Sequence, residues 1–392
     1  VPGRDDPRAN GLDLLQRLRL IGRIQPFRLD EDMLRQHLRL RHVIGLVGGV
    51  VIRHVLFRRL RHALTGLLDQ RVHAAALDQF LAEIVFRNLL GRQRLDEILT
   101  AAHLLDHLRH LRSWARPKRR PTPIKMFPSR SRIVSEPLGN TLIMAPWNYP
   151  FQLTLAPLVG ALCGGNCAVL KPSNYSPATS AIIKKIISET FDPKYVAVVE
   201  GGRDANTHLL EQPFDYIFFT GGVTVGKLVM EAASKHLTPV SLELGGKSPC
   251  IIDETANIDL TAKRLAWGKY INAGQTCVAP DYVLVHSSVK DKLLESLVKW
   301  VKVFYQENPL ENPNLPKIIT QKHFERVSAF VDGSNPANGK VIFGGTTNPE
   351  TRQICPTILD GATPDSPVMS EEIFGPVLPI LTFNKIEEAI DF

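Results

Sequence analysis

The segment Phe219-Thr-Gly-Gly-Val-Thr-Val-Gly-Lys227 joins a short apolar strand to a helix through a glycine turn. The apolar run at residues 215–219 predicts the strand, and the apolar spacing from about Val225 predicts the helix. Such a turn presents backbone N–H groups and the positive end of the helix dipole at one point, which suits a pyrophosphate. Glycine turns also cap helices that bind nothing, so this segment alone leaves both interpretations open.

The same segment matches a P-loop only in part. Gly221, Gly226 and Lys227 have nearly the P-loop spacing, but Leu228 stands where that motif needs a Ser or Thr to hold magnesium. A G-x-G-x-x-G fingerprint is absent as well. The sequence therefore disfavours a kinase or an NTPase.

On both sides of this turn, strand-like and helical patterns alternate from residue 130 onward. Predicted strands cover residues 141–145, 167–170, 195–200, 215–219 and 240–243. Predicted helices cover 152–162 and 177–191, with Ser176 before Pro177 as the expected N-cap. This alternation predicts an α/β fold, a Rossmann-like doubly wound parallel sheet with a second α/β catalytic domain.

The N-terminal part has a different composition. Residues 1–104 hold 17 Arg and no Lys against 11 Asp and Glu, and therefore carry +6 of the net charge of +8. The Arg residues are scattered, without an aromatic platform or a helix-turn-helix signature, so a solvated helical face is favoured over nucleic-acid binding. A fusion or a translation from another reading frame is the alternative. The segment is expected to be helical, as at residues 96–111, or poorly ordered.

Metal binding and membrane insertion are both disfavoured. The pairs His103/His107 and His107/His110 have helical spacing, but no Glu lies between them as in a zinc-hydrolase helix, so we expect no metal site. The longest apolar stretch early in the chain, residues 43–52, is half the length of a membrane-spanning helix. With five Cys among 392 residues and no apolar run after the polar start, we expect a cytoplasmic protein without a membrane segment.

Three residues are candidates for chemistry. Cys277 follows Gly274, which permits a tight turn just before the thiol. Glu243 ends a predicted strand and precedes two glycines, so a base there would have room beside it. Asn148 lies between Pro146 and Pro150, and its amide could donate to an oxyanion. Each of the three also has an ordinary structural explanation when it is taken singly.

Taken together, the segments resemble the aldehyde dehydrogenase superfamily. The matching motifs occur in the family's order: Pro146-Trp-Asn-Tyr-Pro150, Leu170-Lys-Pro-Ser173, Phe219-Thr-Gly221, Glu243-Leu-Gly-Gly-Lys247, Gly274-Gln-Thr-Cys277 and Glu371-Glu-Ile-Phe-Gly-Pro376. Ser113-Trp-Ala-Arg-Pro-Lys118 and Trp267-Gly-Lys-Tyr270 are similar to the class 3 branch, whose substrates are fatty and aromatic aldehydes. The resemblance covers about residues 107–392 and is not recognised in 1–104.

The resemblance implies a chemistry for the three candidates. Cys277 would attack the aldehyde as a thiolate and form a thiohemiacetal, and Asn148 with the Cys277 backbone N–H would hold the oxyanion. Glu243 would then activate water to hydrolyse the thioester. The implied cofactor is NAD or NADP. Its expected contacts are Lys171, Asn174, Thr220, Gly221, Gly222, Gly226, Leu244, Glu372 and Phe374. Tyr149 and Trp267 would line the aldehyde funnel, or would serve as ordinary aromatic packing.

The resemblance also implies a domain plan and a homodimer. We expect an atypical segment at 1–104, an NAD(P)-binding domain at 105–244 and a catalytic domain at 245–392. Because family chains continue past the position of Phe392, the dimer arm and part of the tunnel are expected to be missing here. Two alternatives therefore stay open: an inactive truncated or fused protein of the same fold, and an acyl-phosphate-type reductase. Glu243 argues against the second, since hydrolysis of a thioester needs that base.

Overall fold

The computed structural model of the protein describes residues 95–331 and 336–392, with the side chains of residues 95–99 left aside. The predictions for residues 1–94 lie outside the described residues. The helices are α1 Leu95–Trp114, α2 Gln152–Cys163, α3 Pro177–Thr190, α4 Arg203–Leu210, α5 Val223–Ser234, α6 Ile258–Tyr270, α7 Lys290–Tyr305, α8 Gln321–Ser328 and α9 Ile386–Asp391. Short 3₁₀ turns include Ile271–Gly274 and Pro367–Met369.

The strands alternate with these helices over most of the chain. They are β1 Lys118–Arg120, β2 Ser131–Ile133, β3 Asn140–Met144, β4 Cys167–Lys171, β5 Val196–Val198, β6 Tyr216–Thr220, β7 Val240–Glu243, β8 Pro249–Ile252, β9 Tyr282–His286, β10 Lys340–Phe343, β11 Thr347–Asn348, β12 Gln353–Ile354, β13 Thr357–Asp360 and β14 Val377–Phe383. The predicted α/β fold with parallel sheets is confirmed.

Two compact units divide the described residues. One comprises residues 95–220 and 227–242, and the other comprises 221–226 and 243–392. The predicted domain boundaries stay a prediction. The helix α1 runs without a break through the expected boundary at 104/105.

The first unit is built on a five-stranded sheet in the order β5-β4-β3-β6-β7. Strands β5, β4, β3 and β6 are parallel, with Met144 opposite both Lys171 and Phe219. Helix α1 contributes Leu104 and Leu108 to the core beside Leu155 of α2, because residues spaced by four lie on one helix face.

Two details of this unit differ from the predictions. The strand expected at 195–200 is shorter, because the Tyr195 and Val196 N–H groups donate to the Asp192 carbonyl in a turn. Ser176 occupies the N-cap position of α3, but its side chain makes no capping bond. Its hydroxyl donates to the Ser173 carbonyl at 3.2 Å instead. Pro177 begins the helix as expected.

The second unit contains the sheet β10-β13-β14-β9-β8, in which β10 alone is antiparallel to its neighbour. Side chains from both faces of this sheet are buried. One cluster packs Val283, Leu297 and Tyr270 beneath α6 and α7, and the other includes Ile373 and Val327. Among the described residues, no helix combines the length and apolar character needed to cross a bilayer.

Candidate active site

The turn before Cys277 has an unusual backbone. Three consecutive residues, Asn272, Ala273 and Gly274, have positive φ angles of 52°, 53° and 70°. A Cβ on Gly274 would overlap the carbonyl of Gly375, so a residue without a side chain is needed there. The turn therefore brings the backbone just before Cys277 against the Glu371–Pro376 motif.

The side chain of Gln275 stabilises this turn through hydrogen bonds to backbone groups. It is 3% exposed, and its Nε2 donates to the carbonyls of Asn272 at 3.1 Å and Lys317 at 3.2 Å. Its Oε1 accepts from the Ile319 N–H at 3.0 Å. A buried amide with this many partners rigidifies its surroundings. Gln275 is not among the site residues predicted from the sequence, although its place two residues before the candidate nucleophile was a usable signal.

The half-buried thiol of Cys277 has a raised pKa. Burial is the largest cause, since it disfavours the thiolate. The backbone N–H groups of Cys277 and Val278 act in the opposite direction, because they donate to the sulfur. The negative charges of Glu372 and Glu243 raise the pKa further. The sulfur and these two carboxylates therefore form one electrostatic group within the second unit.

Glu243 and Leu244 lie where β7 ends. The Glu243 side chain is exposed, as expected for a base with room beside it, and its backbone carbonyl accepts from the Gly221 N–H at 3.0 Å. A Cβ on Gly226 would lie 2.8 Å from Leu244 Cδ2. The structure thus brings Gly221, Gly226 and Leu244, three predicted cofactor residues, to the end of the strand that carries Glu243.

Glu372 lies against the two glycines of the Glu243–Lys247 motif. A Cβ on Gly245 would overlap its carboxylate, and the Gly246 N–H donates to it. Burial raises the pKa of Glu372, while the Gly246 N–H lowers it. Gly245 therefore serves a second purpose, which is to let a carboxylate approach the backbone.

Two predicted aromatic residues of this unit differ in their surroundings. Phe374 is half-buried and has a φ of +46°, a conformation that a bulky residue adopts only when its neighbours impose it. Trp267 lies on α6 and is 55% exposed, so a large apolar surface is accessible there. Val278, next to Cys277, is 79% exposed and adds apolar surface beside the thiol.

The predicted residues of the first unit share one edge of its sheet. Lys171 is the last residue of β4, Thr220 is the last residue of β6, and Asn148 and Tyr149 follow β3. Since β4, β3 and β6 are parallel neighbours, their carboxyl ends lie together. That edge is where open α/β sheets bind ligands.

Lys171 and Asn174 have contrasting environments. Lys171 is 3% exposed, its Nζ donates to the Pro172 carbonyl at 2.9 Å, and burial lowers its pKa. Asn174 is exposed, with its Nδ2 3.8 Å from where a Cβ on Gly202 would lie. Asn174 is thus free to contact a ligand at the end of β4. Among residues 95–331 and 336–392, no group of three His, Cys, Asp or Glu could hold a metal ion.

The profile of the Aldehyde dehydrogenase family matches residues 91–392. The chain belongs to this family. The match begins earlier than the predicted start near residue 107 and includes all of α1. The buried Leu104 and Leu108 explain why that helix is part of the fold, although the resemblance was not recognised in residues 1–104.

Curated aldehyde dehydrogenases are similar over most of the chain. The 4,4'-diaponeurosporen-aldehyde dehydrogenase of Staphylococcus aureus is 49% identical over 284 residues, covering 72% of this chain and 61% of that protein. Aldehyde dehydrogenase family 3 member B1 of Mus musculus is 43% identical over 316 residues, covering 81% and 66%. The predicted class 3 relationship is confirmed. The chain spans less than two thirds of the length of either relative.

A solved structure shows the same fold. The substrate-bound state of Staphylococcus aureus AldH superposes with a TM-score of 0.72 at 40% sequence identity. The similarity covers 86% of this chain and 77% of that one.

Proposed function

We propose that this chain oxidises an aldehyde to a carboxylic acid with NAD or NADP as the oxidant. The observation that carries the proposal is the electrostatic group of Cys277, Glu243 and Glu372 within one unit. The overlap that any side chain on Gly274 would create supports it, because the turn at the thiol admits only glycine. Membership of the family supplies the reaction type.

The residues present fit a dinucleotide. The turn Gly221–Gly222 directly precedes α5, and a Cβ on Gly222 would meet no atom within 4 Å, so the backbone there is accessible. Helix N-termini of this kind favour phosphate groups. Lys171, Asn174, Thr220, Gly226 and Leu244 would complete the dinucleotide contacts. Glu372 would hold the nicotinamide ribose, and Phe374 would lie against the nicotinamide ring.

Cys277 begins the proposed reaction as a thiolate, and its sulfur forms a bond to the aldehyde carbon. The carbonyl oxygen becomes an oxyanion, for which Asn148 and the Cys277 N–H are the proposed donors. Bound NAD or NADP supplies the acceptor for the hydride that leaves this carbon. Glu243 then removes a proton from water, which attacks the resulting thioester, breaks its C–S bond and releases the acid and the Cys277 thiolate.

The substrate is an apolar aldehyde in this proposal. Trp267 and Val278 expose apolar surface on the unit that carries Cys277, and Tyr149 stays a predicted aldehyde contact. Aromatic or fatty side chains would gain most from burying such surface. A homodimer and a cytoplasmic location stay predictions from the sequence.

The proposal is tested by mixing the protein with an apolar aldehyde and NAD or NADP and following the absorbance of the reduced nicotinamide. Continuous formation of reduced cofactor that disappears in Cys277→Ala supports it. No turnover by a folded chain would favour the inactive alternative. Consumption of the reduced cofactor with an acyl phosphate, but none of the oxidised cofactor with an aldehyde, would favour a reductase.

A further inference from the structure

The segment that carries Glu372 and Phe374 belongs to no helix or strand. It runs from Ser370 to Pro376, between the 3₁₀ turn Pro367–Met369 and β14. Its backbone N–H and C=O groups therefore lack the partners that a regular element would provide. Charged side chains from other parts of the second unit form hydrogen bonds with these backbone groups instead.

Lys247 and Asp281 contact this segment from one side. Lys247 Nζ donates to the carbonyl of Glu371 at 3.0 Å and to that of Val368, in the 3₁₀ turn just before the segment, at 3.3 Å. Asp281 Oδ1 accepts from the buried Ile373 N–H at 3.0 Å. The other carboxylate oxygen of Asp281 pairs with Lys247. The two side chains thus hold the segment and each other.

Arg326 of α8 contacts the same segment through both terminal nitrogens of its guanidinium. One terminal nitrogen donates to the Glu372 carbonyl at 3.3 Å and to the Glu371 carboxylate at 3.1 Å. The other donates to the Ile373 carbonyl at 2.7 Å. A planar guanidinium suits two neighbouring acceptors in a way that a lysine does not.

The buried charges of this arrangement add little to the stability of the fold. Asp281 is 3% exposed, and burying an ion pair gains little over packing apolar groups of similar volume. The neighbouring Lys269 is 1% exposed, its charge is attracted by Asp281 and Glu372, and burial lowers its pKa to about 8. So many charges placed at one irregular segment indicate that its geometry matters.

We propose that Asp281, Lys247 and Arg326 are positioning residues that hold Glu372 and Phe374 ready for the nicotinamide end of the cofactor. Every backbone contact named above falls between Val368 and Ile373, next to those two side chains. The positive φ of Phe374 needs such restraint. This inference rests on the proposed function, because that function assigns the cofactor contacts to Glu372 and Phe374.

Arg326→Ala, Arg326→Lys, Asp281→Ala and Asp281→Asn in the full chain test the inference. The matched control is Asp360→Ala. It breaks the partly buried Lys290–Asp360 ion pair, 3.0 Å long, which lies in the same unit but away from the segment. Hydrogen exchange of peptides covering residues 370–376 reports the segment without cofactor. Calorimetric dissociation constants for NAD and NADP report its function.

Both alanine variants are expected to speed exchange in these peptides and to weaken cofactor binding about tenfold. Asp281→Asn keeps an acceptor for the Ile373 N–H. Its exchange is therefore expected to rise less, and its cofactor affinity to fall less, than in Asp281→Ala. The exchange rate and the cofactor dissociation constants of Arg326→Lys are expected to lie between those of wild type and those of Arg326→Ala. Asp360→Ala is expected to change neither measurement, although its unfolding midpoint falls. If Asp281→Ala does not fold, the two Arg326 variants carry the test.

The inference is overturned if the alanine variants lose stability as Asp360→Ala does but keep wild-type exchange and wild-type dissociation constants. A folded wild-type chain that binds neither cofactor would overturn the proposed function and the cofactor part of this inference. Faster exchange in the variants would then still show that Asp281, with its partner Lys247, and Arg326 restrain the segment. The two failures are therefore distinguishable.

Discussion

Gly245 and Glu372 approach each other so closely that a side chain on the glycine would overlap the carboxylate. The contact joins two sequence motifs that lie more than a hundred residues apart. It also places a negative charge where it raises the pKa of the Cys277 thiol. The pKa of Cys277 therefore depends on a residue to which the proposed function gives another role, that of holding the nicotinamide ribose.

The first prediction concerns this charge. Glu372→Gln is expected to lower the pKa of Cys277, because a neutral amide no longer disfavours the thiolate. Below that pKa, alkylation of Cys277 by iodoacetamide should become faster than in wild type. The measurement is the pH dependence of the alkylation rate of the Cys277 peptide, followed by mass spectrometry without cofactor. Glu371→Gln, at the exposed neighbouring position, is the control. Equal profiles for all three proteins would contradict the prediction.

Cys277→Ala is expected to abolish both aldehyde oxidation and an esterase-type acyl transfer from activated esters. Each reaction needs a sulfur that forms a covalent bond to the carbonyl carbon. Rates of cofactor reduction and ester hydrolysis measure the effect. Cys163→Ala, a half-buried thiol at the end of α2, should keep both activities. Oxidation at the wild-type rate by Cys277→Ala would show that another group is the nucleophile.

Glu243→Gln is expected to separate the two halves of the reaction. Thioester formation does not need a base at this position, whereas hydrolysis does. Stopped-flow mixing with aldehyde and cofactor should show one burst of reduced cofactor per active site, followed by little turnover. Loss of the burst itself would place Glu243 in an earlier step. Glu254→Gln, in the turn after β8, is the control and should leave both phases unchanged.

Gly274→Ala tests the turn before the thiol. A positive φ costs an alanine about 1–2 kcal/mol, and overlap with the Gly375 carbonyl adds about 1–3 kcal/mol. The free energy of unfolding is therefore expected to fall by about 2–5 kcal/mol in denaturant titrations. The control is Gly160→Ala in α2, where a Cβ would meet nothing within 4 Å. That substitution should stabilise the protein by about 0.5–1 kcal/mol. Similar effects at both positions would contradict the strained turn.

Asn174 is expected to decide the choice of cofactor. The 2′-phosphate of NADP would be repelled by a Glu at this position, and two like charges ~4 Å apart cost about 1 kcal/mol in water. The neutral Asn174 lacks this repulsion, so we expect NADP to bind at least comparably to NAD. Asn174→Glu should shift the preference toward NAD by roughly tenfold, or ~1.4 kcal/mol.

The ratio of the two dissociation constants, in wild type and variant, measures this shift. Asn174→Gln is the control, because it lengthens the side chain without adding charge. An unchanged ratio in Asn174→Glu would show that residue 174 does not face the ribose.

The alternation of strands and helices could be predicted from the sequence alone. Apolar runs of four or five residues with glycine and proline between them indicated β3, β4 and β6, because burial on both sheet faces demands continuous apolar residues. The motifs also predicted the candidate nucleophile and base. The helix predicted at residues 96–111 lies within α1, but the composition of residues 1–104 gave no indication that Leu104 and Leu108 pack this helix into the core.

Tertiary structure alone decided how the second unit's segments meet. Nothing in the spacing of Gly245 and Glu372, or of Asp281 and Ile373, shows that they touch, because contacts between distant segments depend on how the elements pack. The direction of the Cys277 pKa shift likewise depends on burial and on charges from two other segments. Residue types that chemistry requires are thus visible locally, whereas the surroundings that tune them arise only on folding.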